Sequence, residues 1–135
     1  MANFSLTIVT PDRVFYDGEA SYVMVRSITG DIGIMANHAK YVTPLTIGTM
    51  KVTANGKSRY AAISGGFLRA GDNKVTIVTQ ACEWEEEIDV DRANRAAERA
   101  REALDREQSK REYDLAELKL KTALNRISVA NRQNS

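Results

Sequence analysis

One cysteine, one histidine, one tryptophan and two prolines are scattered through 135 residues, and each scarcity closes off a class of protein. A lone Cys82 permits neither an intrachain disulfide framework nor an all-cysteine zinc site. A lone His38 removes His-pair metal motifs and leaves a Ser/His hydrolase without support. Charge of neither sign prevails: 19 Lys and Arg against 18 Asp and Glu leave +1, without the basic excess of a nucleic-acid binder. No run approaches the roughly 18 apolar residues of a membrane-spanning helix, and Met1–Leu6 carries no basic leader. Any membrane association is therefore expected only through a partner.

What is present falls into two parts. All eight glycines and both prolines precede residue 72, and from Ala81 onward there is neither. Turn formers punctuate the first part, and nothing interrupts a helix in the second. Phe4, Leu6 and Ile8 alternate with Ser5, Thr7 and Val9, the period of two that predicts a strand. Ser21–Ser27 repeats it, with Val23 and Val25 on one face and Tyr22 and Met24 on the other. Asn55-Gly56 tolerates the positive φ angles of a two-residue turn and predicts a hairpin between Met50–Val52 and Tyr60–Ile63. Gly71-Asp72-Asn73 predicts a second turn, between Gly66–Leu68 and Val75–Val78. Short strands at this spacing predict an antiparallel β-sandwich over residues 1–84.

Residues 85–135 read as two helices. Val90, Ala93, Ala97, Ala100 and Leu104 form one narrow apolar stripe, and Tyr113, Ala116, Leu120, Ala123, Ile127 and Ala130 form another. Between them Asp105–Lys110 is a connection short enough to impose an antiparallel hairpin. Ser109 and Glu112 make a capping box that starts the second helix. Acids crowd Glu83–Asp91, and after Glu117 only Lys119, Lys121, Arg126 and Arg132 carry charge. Acid near a helix start and base near its end is the distribution a helix dipole favours; the basic tail also suits an acidic partner.

The inventory of reactive groups is thin. Ser64-Gly65-Gly66-Phe67 lacks the lysine of a phosphate-binding loop and leads into a strand; the Gly pair predicts a bulge or a close approach of backbones. Cys82 has no activating base and reads as a small buried residue. The carboxylates of Glu83–Asp91 have no histidine beside them and form no metal or acid/base constellation. No catalytic residue is assigned, and the chain reads as a non-catalytic adaptor. Alanine fills half of the two helical stripes. At about 0.8 kcal/mol per buried CH₂, such a seam is worth only a few kcal/mol before ordering costs of about 1 kcal/mol per residue. A hairpin sealed this weakly is expected to open and close, and a ligand specific for the closed form would decide the balance.

Several stretches together resemble the epsilon subunit of the bacterial F-type ATP synthase. They are Val9-Thr10-Pro11-Asp12, Gly30-Asp31-Ile32-Gly33-Ile34 with His38, Leu45-Thr46-Ile47-Gly48, Ile63-Ser64-Gly65-Gly66-Phe67-Leu68, Asn73-Lys74-Val75-Thr76-Ile77-Val78 and the Ala-rich tail. The resemblance runs from residue 4 to residue 132. It implies a β-sandwich that binds the gamma subunit and the c-ring, coupling rotation to ATP synthesis. It also implies a two-helix arm that restrains ATP hydrolysis when extended toward the alpha and beta subunits. The c-ring contact implied is the loop Gly30–Gly33 through His38, with Asp31 and His38 as its residues; Lys119, Lys121 and Arg126 are the implied contacts to beta. Such a subunit lies peripherally on the cytoplasmic face of the bacterial cell membrane, held there by the complex.

Bacillus-like members of that family bind ATP on the folded arm through the pattern Ile/Leu-Asp-x-x-Arg-Ala, matched here by Ile88-Asp89-Val90-Asp91-Arg92-Ala93. The resemblance adds Glu83, Arg99 and Arg126, and it departs at Thr122, where the family pattern has arginine. ATP is thus implied as a regulatory ligand, with or without Mg²⁺, and no catalytic cofactor. Guanidinium forks suit phosphate oxygens, and Glu83 and Asp89 can accept from base or ribose donors. Two other readings stay open. One is a structural stalk adaptor whose arm ignores nucleotide; in the other the arginines are a solvated helix face, with Arg95, Glu98, Arg99 and Glu102 spaced for pairing.

Overall fold

Alternation of apolar and polar residues builds eight strands in the first 84 residues of the computed structural model, which describes residues 2–106 and 109–134. These are β1 (Phe4–Val9), β2 (Val14–Ala20), β3 (Tyr22–Ser27), β4 (Gly30–Met35), β5 (Tyr41–Ala54), β6 (Lys57–Gly71), β7 (Lys74–Val78) and β8 (Cys82–Trp84). They hydrogen-bond in the order β2-β1-β7-β6-β5-β3-β4, with β8 against β6. The later half of β6 pairs with β7, which leads on to β1 and β2, and its earlier half pairs with β8. The long β5–β6 ribbon thereby contributes to both layers of the sandwich. Phe4, Leu6, Ile8, Val23, Val25, Met50, Ile63, Leu68 and Ile77 point into a common core, each nearly or wholly excluded from solvent.

The expected hairpin is present: Asn55 and Gly56 join β5 to β6 with φ of 53° and 74°, the positive pair that a right-twisted two-residue turn requires. At the second turn the positive φ angles fall on Asp72 and Asn73 (52° and 56°), and Gly71 ends the strand before them. Asn and Asp tolerate this region because their short side chains bond locally. Three expectations need correction. The sandwich is not wholly antiparallel, since β1 runs parallel to β7; almost the whole domain separates the two, and such a pair needs a long connection rather than a hairpin. Pro44 marks no turn but lies within β5 opposite Phe67, just beyond Leu45 where pairing with β3 ends. A missing N–H is tolerated where a strand has one neighbour only. Gly30–Met35 is no loop but strand β4, paired along its length with β3.

Gly65 and Gly66 lie within β6, with φ of 88° and 117°. β7 and β8 follow β6 in a single register interrupted at Thr79–Ala81, opposite this glycine pair. A Cβ on Gly66 would run into the Val78 carbonyl. The pair is a close backbone approach, one of the two readings open in the sequence. Cys82 is buried on β8.

The chain divides into two units, Met1–Trp84 and Glu85–Ser135. The second holds a 3₁₀ turn at Glu85–Glu87, helix α1 (Val90–Leu104), helix α2 (Lys110–Ala130) and a terminal 3₁₀ turn at Asn131–Asn134. Ser109 caps α2, its hydroxyl accepting from the Glu112 N–H at 3.2 Å. Glu107 and Gln108 of the expected connection lie outside the described residues. α1 packs on α2 with Ala93, Ala97, Ala100, Ala116 and Ala123 buried. Tyr113, expected in the stripe, is 44% exposed. It stands in the first turn of α2, where a side chain leans back toward the helix start and so toward the connection.

Candidate functional site

Asp31 and His38 sit around one hairpin and the loop that follows it. Asp31 on β4 lies directly across from Arg26 on β3, and their side chains pair at 3.1 Å, both about half exposed. Exposed pairs of this kind contribute little to stability, so the carboxylate remains at the disposal of a partner. His38 is differently placed. Its Nδ1 lies 3.0 Å from the Met35 carbonyl and its Nε2 3.2 Å from the Lys74 carbonyl, and its ring edge meets Phe4. Beside it the Asn37 N–H donates to Asn73 Oδ1 at 2.9 Å, and the Asn73 side chain donates to the Asn3 carbonyl at 3.0 Å. A neutral ring can donate to one of these two carbonyls at a time, and the Lys74 contact is the one that joins this loop to the start of β7.

An apolar surface went unnoticed in the sequence. Strand register aligns Val14, Val9, Val78, Phe67 and Pro44 in a row across five strands. Their chain neighbours Phe15, Ile8, Ile77, Leu68 and Leu45 are buried, so the row occupies the outer face. Val14 is 62% and Phe67 44% exposed. Contiguous apolar residues on an outer face mark a contact surface. The signal lay in Val9 and Val78, valines at the outward phase of otherwise amphipathic strands.

On the arm, the motif residues first do structural work. Asp89 is the N-cap of α1, Oδ1 accepting from the Arg92 N–H at 3.0 Å, while Ile88 and Ala93 are buried. Asp89→Ala should cost about 1 kcal/mol of arm stability and Asp89→Ser almost nothing, readable as helicity lost on heating. Arg92 is exposed in the first turn of α1, and Glu83 belongs to the sandwich, on β8 opposite Ala62. One oxygen of Glu85, just before the motif, is buried without a hydrogen bond among the described residues.

A groove of about 770 Å³ follows the seam between α1 and α2. Alanines 96, 100, 103, 116 and 123, Leu115 and Leu118 line it together with Arg99, Arg106, Lys119 and Arg126, and Glu112 is the one acid among the described residues that does so. Of the seven residues expected to bind ATP, Arg99 and Arg126 meet here; Thr122 also lines it, and Arg92 does not. The surplus of cations beside an apolar lining suits a ligand with a flat apolar portion and several negative charges. Lys119 and Arg126 do not serve the dipole of α2: its last turn holds no base, and the effect fades within one turn.

Residues 3–85 match the beta-sandwich domain of the ATP synthase delta/epsilon chain, and residues 86–131 match its long alpha-helix domain. An ATP synthase epsilon chain of Ruminococcus albus is 44% identical over 134 residues, covering 98% of this chain and 100% of that one. One from Bacillus pumilus is 40% identical, again covering 98% and 100%. A chain in the cryo-EM structure of the Euglena gracilis mitochondrial ATP synthase (OSCP/F1/c-ring) superposes with a TM-score of 0.81 at 26% identity, over 93% of this chain and 79% of that chain. With both of its halves matched in order and full-length relatives well above 30% identity, the chain belongs to the delta/epsilon chain family of the ATP synthases.

Proposed function

We propose that this chain is a non-catalytic subunit of the central stalk of a proton-translocating F-type ATP synthase, and that its helical arm senses ATP. The observation that supports the reading most is that both domain models match this chain in order and that an epsilon chain matches it end to end. In this reading the sandwich holds the gamma subunit through the apolar row Val14–Val9–Val78–Phe67–Pro44. The β3–β4 hairpin meets the c-ring with Asp31, while His38 holds the neighbouring loop in shape. Membrane attachment comes through the complex, at its cytoplasmic face; no helix among the described residues is long and apolar enough to cross a membrane.

The arm binds ATP while its helices are paired and restrains hydrolysis when they extend toward alpha and beta. Arg92, Arg99 and Arg126 take the phosphates. Glu83, Asp89 and the unsatisfied oxygen of Glu85 accept from base or ribose donors, and Ile88 and Ala93 hold the motif in place. Extension frees Lys119, Lys121 and Arg126 for acidic segments of beta. Isothermal titration of the full chain with ATP, with and without Mg²⁺, tests this. Arg92→Ala and Arg126→Ala should each weaken binding about ten- to a hundredfold, the range for one charge-assisted hydrogen bond lost. Equal affinity in both variants and the parent chain would remove the site and favour an adaptor indifferent to nucleotide.

A further inference from the structure

Three bases of the hairpin stand in surface pairs, and Arg92, Arg95 and Arg111 neither pair among the described residues nor line the groove. Lys121 stands 3.7 Å from Glu117, Lys110 2.8 Å from Asp114 and Arg101 3.6 Å from Glu98, the i,i+3 and i,i+4 pairs of an ordinary solvated face. Lys119 and Arg99 are of a third kind. Both line the groove, and among the described residues neither has a carboxylate in ion-pair range. Gathering unpaired like charges about one cavity is unfavourable unless an anion joins them.

Thr122, also lining the groove, donates its hydroxyl proton to the Leu118 carbonyl at 3.0 Å. Only lone pairs remain on that oxygen, and lone pairs repel a phosphate. On α2 the donors facing the groove are then Lys119, one turn before Thr122, and Arg126, one turn after.

We propose that Lys119 is a phosphate-binding residue of this groove, acting with Arg99 across the seam on the polyphosphate chain of a nucleotide. The assignment rests on the nucleotide reading above and adds to it a residue outside the ATP motif. A compact ammonium with three donors serves as a point charge for phosphate oxygens. Lys119 also stands among the bases that would face an acidic partner, so a bound nucleotide competes with that partner for the same ammonium.

Titration of the full chain with ATP, ADP and AMP decides it. Lys119→Gln should weaken ATP about tenfold or more, ADP less and AMP hardly at all. Lys119→Arg should restore most of the loss, and Lys110→Gln should leave ATP binding unchanged, since that base is paired with Asp114 and does not line the groove. If Lys119→Gln binds ATP as the parent chain does while Arg126→Ala does not, the lysine assignment falls and the nucleotide reading stands. An equal loss for AMP and ATP would overturn the assignment too, because the lysine would not then be at the phosphates. No binding of ATP by the parent chain at millimolar concentration would remove both.

Discussion

Ala97→Leu should take the helical hairpin apart and leave the sandwich folded. Ala93, Ala97 and Ala100 are 0%, 1% and 4% exposed, so the seam has no room for a branched four-carbon side chain where a methyl group stands. Overpacking a closed contact costs about 1–3 kcal/mol. In a large core that is a fraction of the total, but here it rivals the whole seam, because alanines bury little apolar area. Amides of α1 and α2 should exchange on the order of ten- to a hundredfold faster, while those of β1 and β6 stay protected. ATP binding should fall with the hairpin, since Arg99 and Arg126 come from different helices. Arg95→Leu places the same leucine at an exposed position of the same helix and should do none of this. If Ala97→Leu left exchange in α1 and α2 unchanged, the alanine contact would not be what holds the helices together.

How much of this was legible in the sequence depends on the range of the interaction. The caps and two-residue turns were readable because they are local: Ser109 with Glu112, and Asn55 with Gly56, act over three residues or fewer. The alanine stripes were readable because helical periodicity is itself local. The parallel pairing of β1 with β7 was not, since alternation says which face a residue takes but not which strand lies beside it. Strand length was misjudged for a related reason. Pro44 reads as punctuation and the Gly65-Gly66 pair as a bulge or a close approach, yet β5 and β6 run through them because their neighbours there make few demands on an N–H or require a close approach. The cations of the arm were plain as residues. Which of them face the groove and which form surface pairs became clear only once the seam fixed the rotation of each helix, and that separation distinguishes Lys119 from Lys121.

Gly66→Ala should unfold the sandwich under conditions where Gly56→Ala is well tolerated. Both glycines have positive φ, 117° and 74°, so both substitutions carry the backbone strain of a non-glycine residue there, about 1–3 kcal/mol. They differ in space. A Cβ on Gly56 meets nothing within 4 Å, whereas on Gly66 it meets the Val78 carbonyl and the Thr79 Cα at 2.8 Å. Those atoms are backbone and cannot swing aside. Relief requires β7 to withdraw from β6, and Thr79, 1% exposed, whose N–H donates to the Val9 carbonyl at 3.1 Å, ties that segment to β1. The added methyl therefore disturbs three strands at once and should bring the total to about 4 kcal/mol, the middle of the range that strain and overpacking together span. For a domain of this size each kcal/mol lowers the melting temperature by roughly 4–8 °C, so the sandwich should melt roughly 16–32 °C lower. Trp84, the one tryptophan, reports on this unit through its contact with Phe15 at 4.5 Å. Gly56→Ala should shift the same transition by less than half as much. Equal shifts for the two would mean that φ alone sets the cost, and that the backbones of β6 and β7 do not depend on a residue without a side chain between them.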